Sequence, residues 1–392
     1  MFNYMECYDN IKFMKERVVI AMSGGVDSSV AAAILKDEGY DVVGISMQIW
    51  DYSAESVERF GTCCSLDDIN DARRVAEKLG IPFYILNLEE EFEREVIEYF
   101  VSEYTKGRTP NPCVPCNQRL KFDALLNYAV KIGASKVATG HYAKVVEEKG
   151  RYFIKRGVDR SKDQSYFLFN LSQEQLKRAI FPLGDYTKSD IRKMAKTFGL
   201  NVAEKEESQE ICFVPDNNYE DFIRKRVDEC SIEEGEVVTR DGEVIGRHRG
   251  LPFYTIGQRK GLGISYERPL YVSEIDLENN RLIVGESDSV VKREFMVENV
   301  NWSINPPSPP FNKGGQVGVI RALVQIRYRH NASDAEITLL SPLPTGERIE
   351  VRGSNTVRVI FDEPQRAITP GQAAVFYLED TVIGGGWIKE VL

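Results

Sequence analysis

Histidine is nearly missing from this chain: His141, His248 and His330 are all there is in 392 residues. That scarcity argues against a histidine-rich metal centre. Cysteine is present in an odd number, seven (Cys7, Cys63, Cys64, Cys113, Cys116, Cys212 and Cys230). An odd count in a long chain does not suit a disulfide framework; it suits a reducing, cytoplasmic compartment. No run of about 18 apolar residues occurs, so nothing reads as a membrane span. Residues 1–16 mix polar and apolar types with acidic Glu6 and Asp9. They do not read as a secretory leader but as a flexible tail, with Met14 as a second candidate start. There is no internal repeat.

The chain also lacks a large positive charge, its formal net being −10. The distribution is uneven. Residues 1–100 hold 9 Lys+Arg against 20 Asp+Glu, residues 101–200 hold 19 against 9, and the remainder 22 against 31. A basic middle block between acidic flanks is what a local anionic partner needs. A solvated basic face of no function gives the same count.

Length alone implies two or three domains. From Arg17 to about Gly140 strand-like and helix-like segments alternate: strands near Val18–Ile20, Val42–Met47, Pro82–Leu88 and Lys136–Thr139, helices over Asp67–Leu79 and Leu120–Ile132. This pattern predicts an α/β fold with a parallel sheet, whose ligands bind at the carboxyl ends of strands; Ser23, Met47 and Gly140 fall there. Domain limits are expected at 17–215, 216–289 for a small module, and 290–392 for an antiparallel barrel or sandwich. Its clearest strand is Arg321–Arg329, with Ala322, Val324, Ile326 and Tyr328 on one face and Arg321, Gln325, Arg327 and Arg329 on the other. Pro306–Pro310 reads as a stiff inserted loop.

Between the first strand and helix stands Ala21-Met22-Ser23-Gly24-Gly25-Val26-Asp27-Ser28-Ser29. Two glycines at a strand-to-helix turn allow close backbone approach and point N–H groups into one concavity. With the positive helix end and the hydroxyls of Ser23, Ser28 and Ser29, this is a phosphate cradle. It lacks the Gly-Lys-Ser/Thr ending of a Walker loop. Asp27 is placed to hold Mg²⁺ against pyrophosphate.

Cys113-Val114-Pro115-Cys116 follows Thr109-Pro110-Asn111-Pro112, whose prolines predict an extended loop. Arg108, Arg119 and Lys121 and the following helix start bias such thiols toward thiolate. C-x-x-C alone fits a redox pair, a zinc half-site, an iron–sulfur ligand or chance, and no second C-x-x-C occurs. Cys212, flanked by Ile211 and Phe213, reads alone as a small core residue.

Seven segments occur in one order: Ser23–Ser29, Asn111-Pro112-Cys113-x-x-Cys116-Asn117, Thr139-Gly140-His141-Tyr142, Lys162-Asp163-Gln164-Ser165-Tyr166-Phe167, Gln209–Phe213, Tyr254–Gly263 and Thr369-Pro370-Gly371-Gln372. Together they closely resemble the tRNA-specific 2-thiouridylases of the bacterial MnmA type, from about Met14 to the C-terminus. The resemblance implies a PP-loop (adenine nucleotide alpha hydrolase-like) ATP pyrophosphatase domain, a central tRNA-binding module and a C-terminal β-barrel. It implies that ATP adenylates the C2 oxygen of a wobble uridine, which sulfur then replaces. Ala21, Met22, Ser23, Gly24, Gly25, Val26, Asp27, Ser28, Met47 and Gly140 match nucleotide positions. Cys116 matches the nucleophile and Cys212 the persulfide carrier, the two closing a redox disulfide. Asn111, Pro112 and Cys113 match the segment that meets the target base. Some relatives carry Asp where Cys113 stands, so Cys113, Cys116 and Cys212 as ligands of an iron–sulfur cluster form an alternative. His141, Lys162, Asp163, Gln164, Arg327, Tyr328 and Gln372 match tRNA-contacting positions. A sulfur-carrier or cysteine desulfurase relay is the implied protein partner. Rival readings are a pyrophosphatase acting on a small metabolite and a non-catalytic RNA-binding protein with a structural metal.

Overall fold

The computed structural model describes residues 15–50, 65–205, 211–214, 218–228, 232–304, 319–340 and 356–392. The tail, Cys7, Cys63, Cys64, Cys230, Gln209 and the 306–310 stretch lie outside the described residues.

Strand β1 (Arg17–Ala21) is apolar after exposed Arg17, and Val18, Val19 and Ile20 are wholly buried, as a central strand covered on both faces requires. Beside it lie β2 (Asp41–Gln48), β3 (Phe83–Asn87) and β4 (Lys136–Ala138). The hairpin β5 (Ala143–Glu148) and β6 (Arg151–Arg156) intervenes before a short β7 (Ala179–Ile180). The sheet order is β3-β2-β1-β4-β7, every neighbouring pair parallel. Helix α1 (Val26–Asp37) shares a core with β1 and β2 through Val30, Ala31, Ala32, Ile34 and Leu35. Helix α2 (Leu66–Leu79) starts at a reciprocal Ser65–Asp68 capping box and stops at left-handed Gly80.

Two expectations need correction. The cysteine segment is helical, not extended: Cys113–Pro115 is a first α turn, Cys116–Ala124 is π-helical, and Leu125–Lys131 completes the helix. Prolines 112 and 115 sit before and within the first turn, where a missing N–H breaks no helical bond. Second, the strand expected over Arg321–Arg329 ends at Gln325. The Gln325 amide donates to the carbonyls of Arg327 (3.2 Å) and Tyr328 (2.8 Å), folding that stretch into a turn.

The middle module carries β8 (Gly235–Thr239), β9 (Val244–His248), β10 (Tyr271–Asp276) and β11 (Arg281–Gly285) in the order β10-β11-β8-β9. The C-terminal strands are β12 (Val291–Trp302), β13 (Val319–Gln325), β14 (Ser333–Leu339), β15 (Val357–Arg366), β16 (Ala373–Leu378) and β17 (Thr381–Val391). They run β12-β15-β14-β13-β16-β17 and close through β12–β17, so the expected barrel-or-sandwich choice resolves as a six-stranded antiparallel barrel. Closure leaves no edge strand in the barrel proper. Its core includes Phe295, Phe361 and Phe376. The β5–β6 hairpin leaves the parallel sheet and attaches to β17 at Lys155–Thr381, which strand periodicity did not foretell. Among the described residues no helix is long and apolar enough to cross a membrane.

Candidate functional site

A cavity of about 410 Å³ opens at the carboxyl ends of β1, β2 and β4. One wall is the strand-to-helix turn: Ala21, Met22, Ser23, Gly25, Val26, Asp27 and Ser28, with Met47 and Gly140 beside it. The opposite wall holds Pro112, Cys113, Cys116 and Cys212, with His141, Gln164, Lys121 and Lys205 contributing polar groups.

The turn is held from inside. Ser28 Oγ accepts from the Ser23 N–H (3.1 Å) and donates to the Gly25 carbonyl (3.2 Å). Ser29 is fully buried and donates to the same carbonyl (2.8 Å), so it braces the turn rather than facing a ligand, a correction to its expected role. Gly24 lies behind the cavity wall at φ +73°, and a Cβ there would stand 2.1 Å from the Asp68 carbonyl oxygen. Only glycine satisfies both conditions. A Cβ on Gly140 would come within 2.8 Å of Ser28 N, so β4 ends directly against the start of α1.

Asp27 reaches the cavity already engaged. Its carboxylate accepts two bonds from Lys188 Nζ (2.8 and 2.9 Å) and one from the Tyr142 hydroxyl (2.7 Å). Lys188 is the first residue of the helix Lys188–Thr197, capped by Thr187. Across the turn, Lys205 Nζ donates to the Gly24 carbonyl (3.2 Å), to Asp68 (2.6 Å) and to Asp71 (2.6 Å). Against burial, which opposes the charge, the bonds to Asp68 and Asp71 hold the Lys205 ammonium above its ordinary pKa; against burial likewise, Lys205 and Arg74 hold the Asp71 carboxyl below its own. Sequence reading passed over Lys188, Tyr142 and Lys205 as functional groups. Tyr142 ends the Thr139–Tyr142 segment and Lys205 lies just before Gln209–Phe213; nothing in the sequence marked Lys188.

On the cysteine side, Asn111 Oδ1 accepts from the Cys113 N–H (3.3 Å) and the Cys116 N–H donates to the Pro112 carbonyl (3.1 Å), fixing the helix start. Asn111 is buried and Cys113 exposed. The π-helical register brings Cys116 and Lys121, five residues apart, to the same cavity. Of the three cations expected beside the thiols only Lys121 lines it. Arg108 turns to Glu103 and Glu298, and Arg119 lies on the surface near Asp123. Cys212 is positioned by its neighbour. Phe213 is 1% exposed and packs edge-on against Phe92 and Phe100, with centroids 5.6 and 5.0 Å away. Cys212 is half-buried: it packs against the core beside its anchor Phe213 and also lines the cavity.

Among the described residues no three His, Cys, Asp or Glu side chains gather at metal-ligating spacing. Cys113, Cys116 and Cys212 share a cavity but form no preassembled cluster ligand set. A Mg²⁺ ion bound mainly by phosphate oxygens and water needs only one or two carboxylates, which Asp27 fits.

The expected RNA-contact residues divide. His141 and Gln164 line the cavity. His141 Nδ1 lies 2.6 Å from Thr139 Oγ1, and burial, aided by Lys121, pushes its pKa well below the ordinary histidine value. It is a neutral imidazole at neutral pH. Tyr328 packs on Phe167 at 4.5 Å, next to the cavity, and Arg327 donates to the carbonyls of Arg366 and Ala367. Lys162 is half-buried. Two residues turn inward. Asp163 is buried and accepts from Gly157 N, Ser165 N and Ser165 Oγ, shaping the loop that carries Lys162 and Gln164. Gln372 commits its amide to the carbonyls of Thr109 and Pro110. Part of the basic block is also neutralised internally, as in Arg156–Asp163, Arg160–Asp380 and Lys188–Asp27.

Comparison with known proteins covers nearly the whole chain. Residues 16–216 match the tRNA methyl transferase HUP domain, 220–286 the tRNA methyl transferase PRC-barrel domain, and 292–388 the aminomethyltransferase beta-barrel domain. The tRNA-specific 2-thiouridylase MnmA of Geobacter metallireducens is 52% identical over 382 residues, covering 96% of this chain and 98% of that protein. Its namesakes in Heliobacterium modesticaldum and Carboxydothermus hydrogenoformans are 49% and 48% identical, each over 96% of this chain and over 93% and 99% of their own lengths. The chain belongs to the tRNA-specific 2-thiouridylases of the MnmA type.

Proposed function

We propose that this chain is an ATP-dependent tRNA uridine 2-sulfurtransferase that converts the wobble uridine to 2-thiouridine, releasing AMP and pyrophosphate. The observation that carries this reading is one cavity whose walls are the Ser23–Ser28 turn and the three cysteines Cys113, Cys116 and Cys212. Its volume lies within the range of small-molecule and cofactor pockets. The matched domain descriptions name methyl transfer, whereas the relatives are named for thiolation. Thiols facing a phosphate-binding turn suit sulfur chemistry on an activated carbonyl, and a methyl transfer has no use for that turn.

The uridine C2 oxygen is a poor leaving group. Attack of that oxygen on the α-phosphorus of ATP expels pyrophosphate and converts the oxygen into part of an AMP leaving group. N–H groups of the turn and the Ser23 hydroxyl receive the phosphates, and the Ser28 hydroxyl joins them once it releases the Gly25 carbonyl. Asp27 is the residue that would hold Mg²⁺, which when bound would draw charge from the departing pyrophosphate. The Lys188 ammonium on the same carboxylate would compete with that ligation. Cys212 carries the sulfur as a persulfide from a protein relay. The Cys116 thiolate attacks the inner sulfur, forms the Cys116–Cys212 disulfide and releases hydrosulfide, which adds to C2 and expels AMP. An external dithiol then reduces the pair. A single-stranded anticodon loop delivers the base at low unstacking cost. Asn111, Pro112 and Cys113 meet that base, while His141, Lys162, Gln164, Arg327 and Tyr328 form the RNA side of the site.

The cluster route has no support in the ligand geometry, nor does a structural metal at the cysteines. A small-metabolite pyrophosphatase leaves the cysteines without a task. The test is nucleoside mass spectrometry of tRNA incubated with Cys116→Ala or Cys212→Ala. Both variants bind tRNA and form no 2-thiouridine; normal thiolation by either refutes the reading. An anaerobic iron assay on the active protein finds no stoichiometric iron.

A further inference from the structure

The loop 107–112 that delivers Cys113 and Cys116 is gripped from outside its own domain. The Thr109 N–H donates to the Pro370 carbonyl (2.8 Å), and Gln372 Nε2 donates to the carbonyls of Thr109 (3.0 Å) and Pro110 (3.1 Å). Gly371, between them, sits at φ +89°; a Cβ there would lie 2.9 Å from both the nitrogen and the oxygen of Thr109. The turn 369–372 is itself fixed to β17, through Gly371 N to the Ile388 carbonyl and Ile388 N to the Gln372 carbonyl, each 2.8 Å. Arg108 adds a 2.9 Å bond to Glu298 of β12. The middle module touches the same loop, since Thr109 Oγ1 donates to Thr255 Oγ1 at 3.2 Å.

We propose that Gln372 is a positioning residue for the cysteine helix, and that the barrel thereby sets where Cys113 and Cys116 stand in the site. Thr109 and Asn111 each precede a proline, which restricts both to extended conformations, and the prolines fix their own φ. A displacement at Thr109 or Pro110 is therefore carried along a stiff arm to Asn111, whose side chain holds the Cys113 N–H. Gln372 suits the task because one amide nitrogen offers two protons to two adjacent carbonyl oxygens. A carboxylate in its place presents only acceptors to acceptors. The proposal goes beyond direct RNA contact by Gln372, and it rests on Cys113 and Cys116 being working groups of the proposed site.

Gln372→Leu and Gln372→Glu test it in the full-length protein, each read four ways. These are the melting temperature, the dissociation constant for unmodified tRNA, single-turnover thiolation, and site-resolved alkylation of Cys113 and Cys116 by iodoacetamide without tRNA or ATP. A misplacement near 1 Å costs roughly a hundredfold in rate. Thiolation therefore falls about 10- to 100-fold in both variants, more in Gln372→Glu. The tRNA dissociation constant stays within about threefold, the melting temperature falls by about 2–10 °C as the two carbonyls lose their donor, and the alkylation rate of at least one cysteine changes more than about threefold. Weakened tRNA binding with unchanged alkylation overturns the proposal in favour of RNA contact, and unchanged thiolation overturns it outright. If Gln372→Glu does not fold, Gln372→Leu decides alone. If wild-type protein makes no 2-thiouridine, the functional reading fails, while alkylation still reports whether Gln372 sets the thiols.

Discussion

The Asp27–Lys188 pair permits stability and chemistry at the nucleotide turn to be separated. Lys188 Nζ lies 2.8 and 2.9 Å from the two carboxylate oxygens, with side-chain exposures of 11% for Lys188 and 30% for Asp27. Opposite charges about 4 Å apart interact by roughly 4 kcal/mol at an effective dielectric of 20. Desolvation of Lys188 offsets part of that, and water at Asp27 screens more, leaving a coupling of about 1–2 kcal/mol. Asp27→Asn preserves shape and the acceptor for Tyr142, but leaves Lys188 beside a neutral amide. Lys188→Met removes the cation. For a unit of 150–250 residues, each kcal/mol moves the melting temperature by about 2–4 °C. Each single variant therefore melts roughly 2–8 °C lower, and the double variant melts no lower than the worse single one. Pyrophosphate release follows a different order: Asp27→Asn loses at least about a hundredfold, and adding Lys188→Met does not restore it. Additive melting shifts would show that the pair does not exist in solution. Recovery of pyrophosphate release in the double variant would show that Asp27 acts only by holding Lys188.

Gly24→Ala combines a left-handed backbone penalty of about 1–2 kcal/mol with a clash at the Asp68 carbonyl. It lowers ATP affinity in equilibrium dialysis while Cys212 alkylation stays normal; unchanged affinity refutes the tight approach of turn and α2. All three histidines have pKa values lowered by burial, His141 most strongly. The folded state stays unprotonated where the unfolded state begins to take up protons near pH 6.5. Stability is thus full above that pH and falls as pH drops toward the lowered values. Melting temperature declines in this window, and His141→Gln flattens the decline; a rise on acidification contradicts the assignment. Binding of tRNA weakens steeply with added salt in filter assays, because phosphate contacts release counterions. A flat response excludes the basic faces as the RNA surface.

The parallel sheet was legible because Val18–Ala21 in β1 is a continuous apolar run and β2 is mostly apolar and buried, as a doubly covered strand requires, and because Ser65–Asp68 and Gly80 punctuate α2 by local chemistry. The nucleotide turn was legible for the same reason: glycines, serines and aspartate act within nine residues. The errors arose where a long-range or context-dependent effect decided. Prolines 112 and 115 suggested an extended loop but fit a helix start, a distinction that depends on where the first helical bond begins. The strand after Arg321 stops because the Gln325 side chain bonds ahead to Arg327 and Tyr328, which alternation does not encode. The inward turns of Asp163 and Gln372 depend on partners at Gly157 and, across domains, at Thr109 and Pro110.

The missing Walker lysine shows the same divide at the heart of the site. A loop with Gly-Lys-Ser/Thr carries its own cation, so the phosphate charge is met by the residue that ends the motif. Here the motif ends in Asp-Ser, and cations come to the turn from elsewhere: Lys188, 161 residues on, holds Asp27 from outside the cavity lining, and Lys205, 181 residues on, lines the cavity. Both are held by carboxylates of the first α/β unit, Asp27 for one and Asp68 with Asp71 for the other. Lys205 is therefore not an open charge; to serve a phosphate it would have to exchange a carboxylate for a phosphate oxygen. Lys205→Met removes the ammonium from Gly24, Asp68 and Asp71 without touching either cysteine. On the proposed function, it slows pyrophosphate release and thiolation alike in single-turnover assays, because sulfur can replace the C2 oxygen only after that oxygen is activated. Pyrophosphate release at the wild-type rate refutes a role for Lys205 at the nucleotide turn.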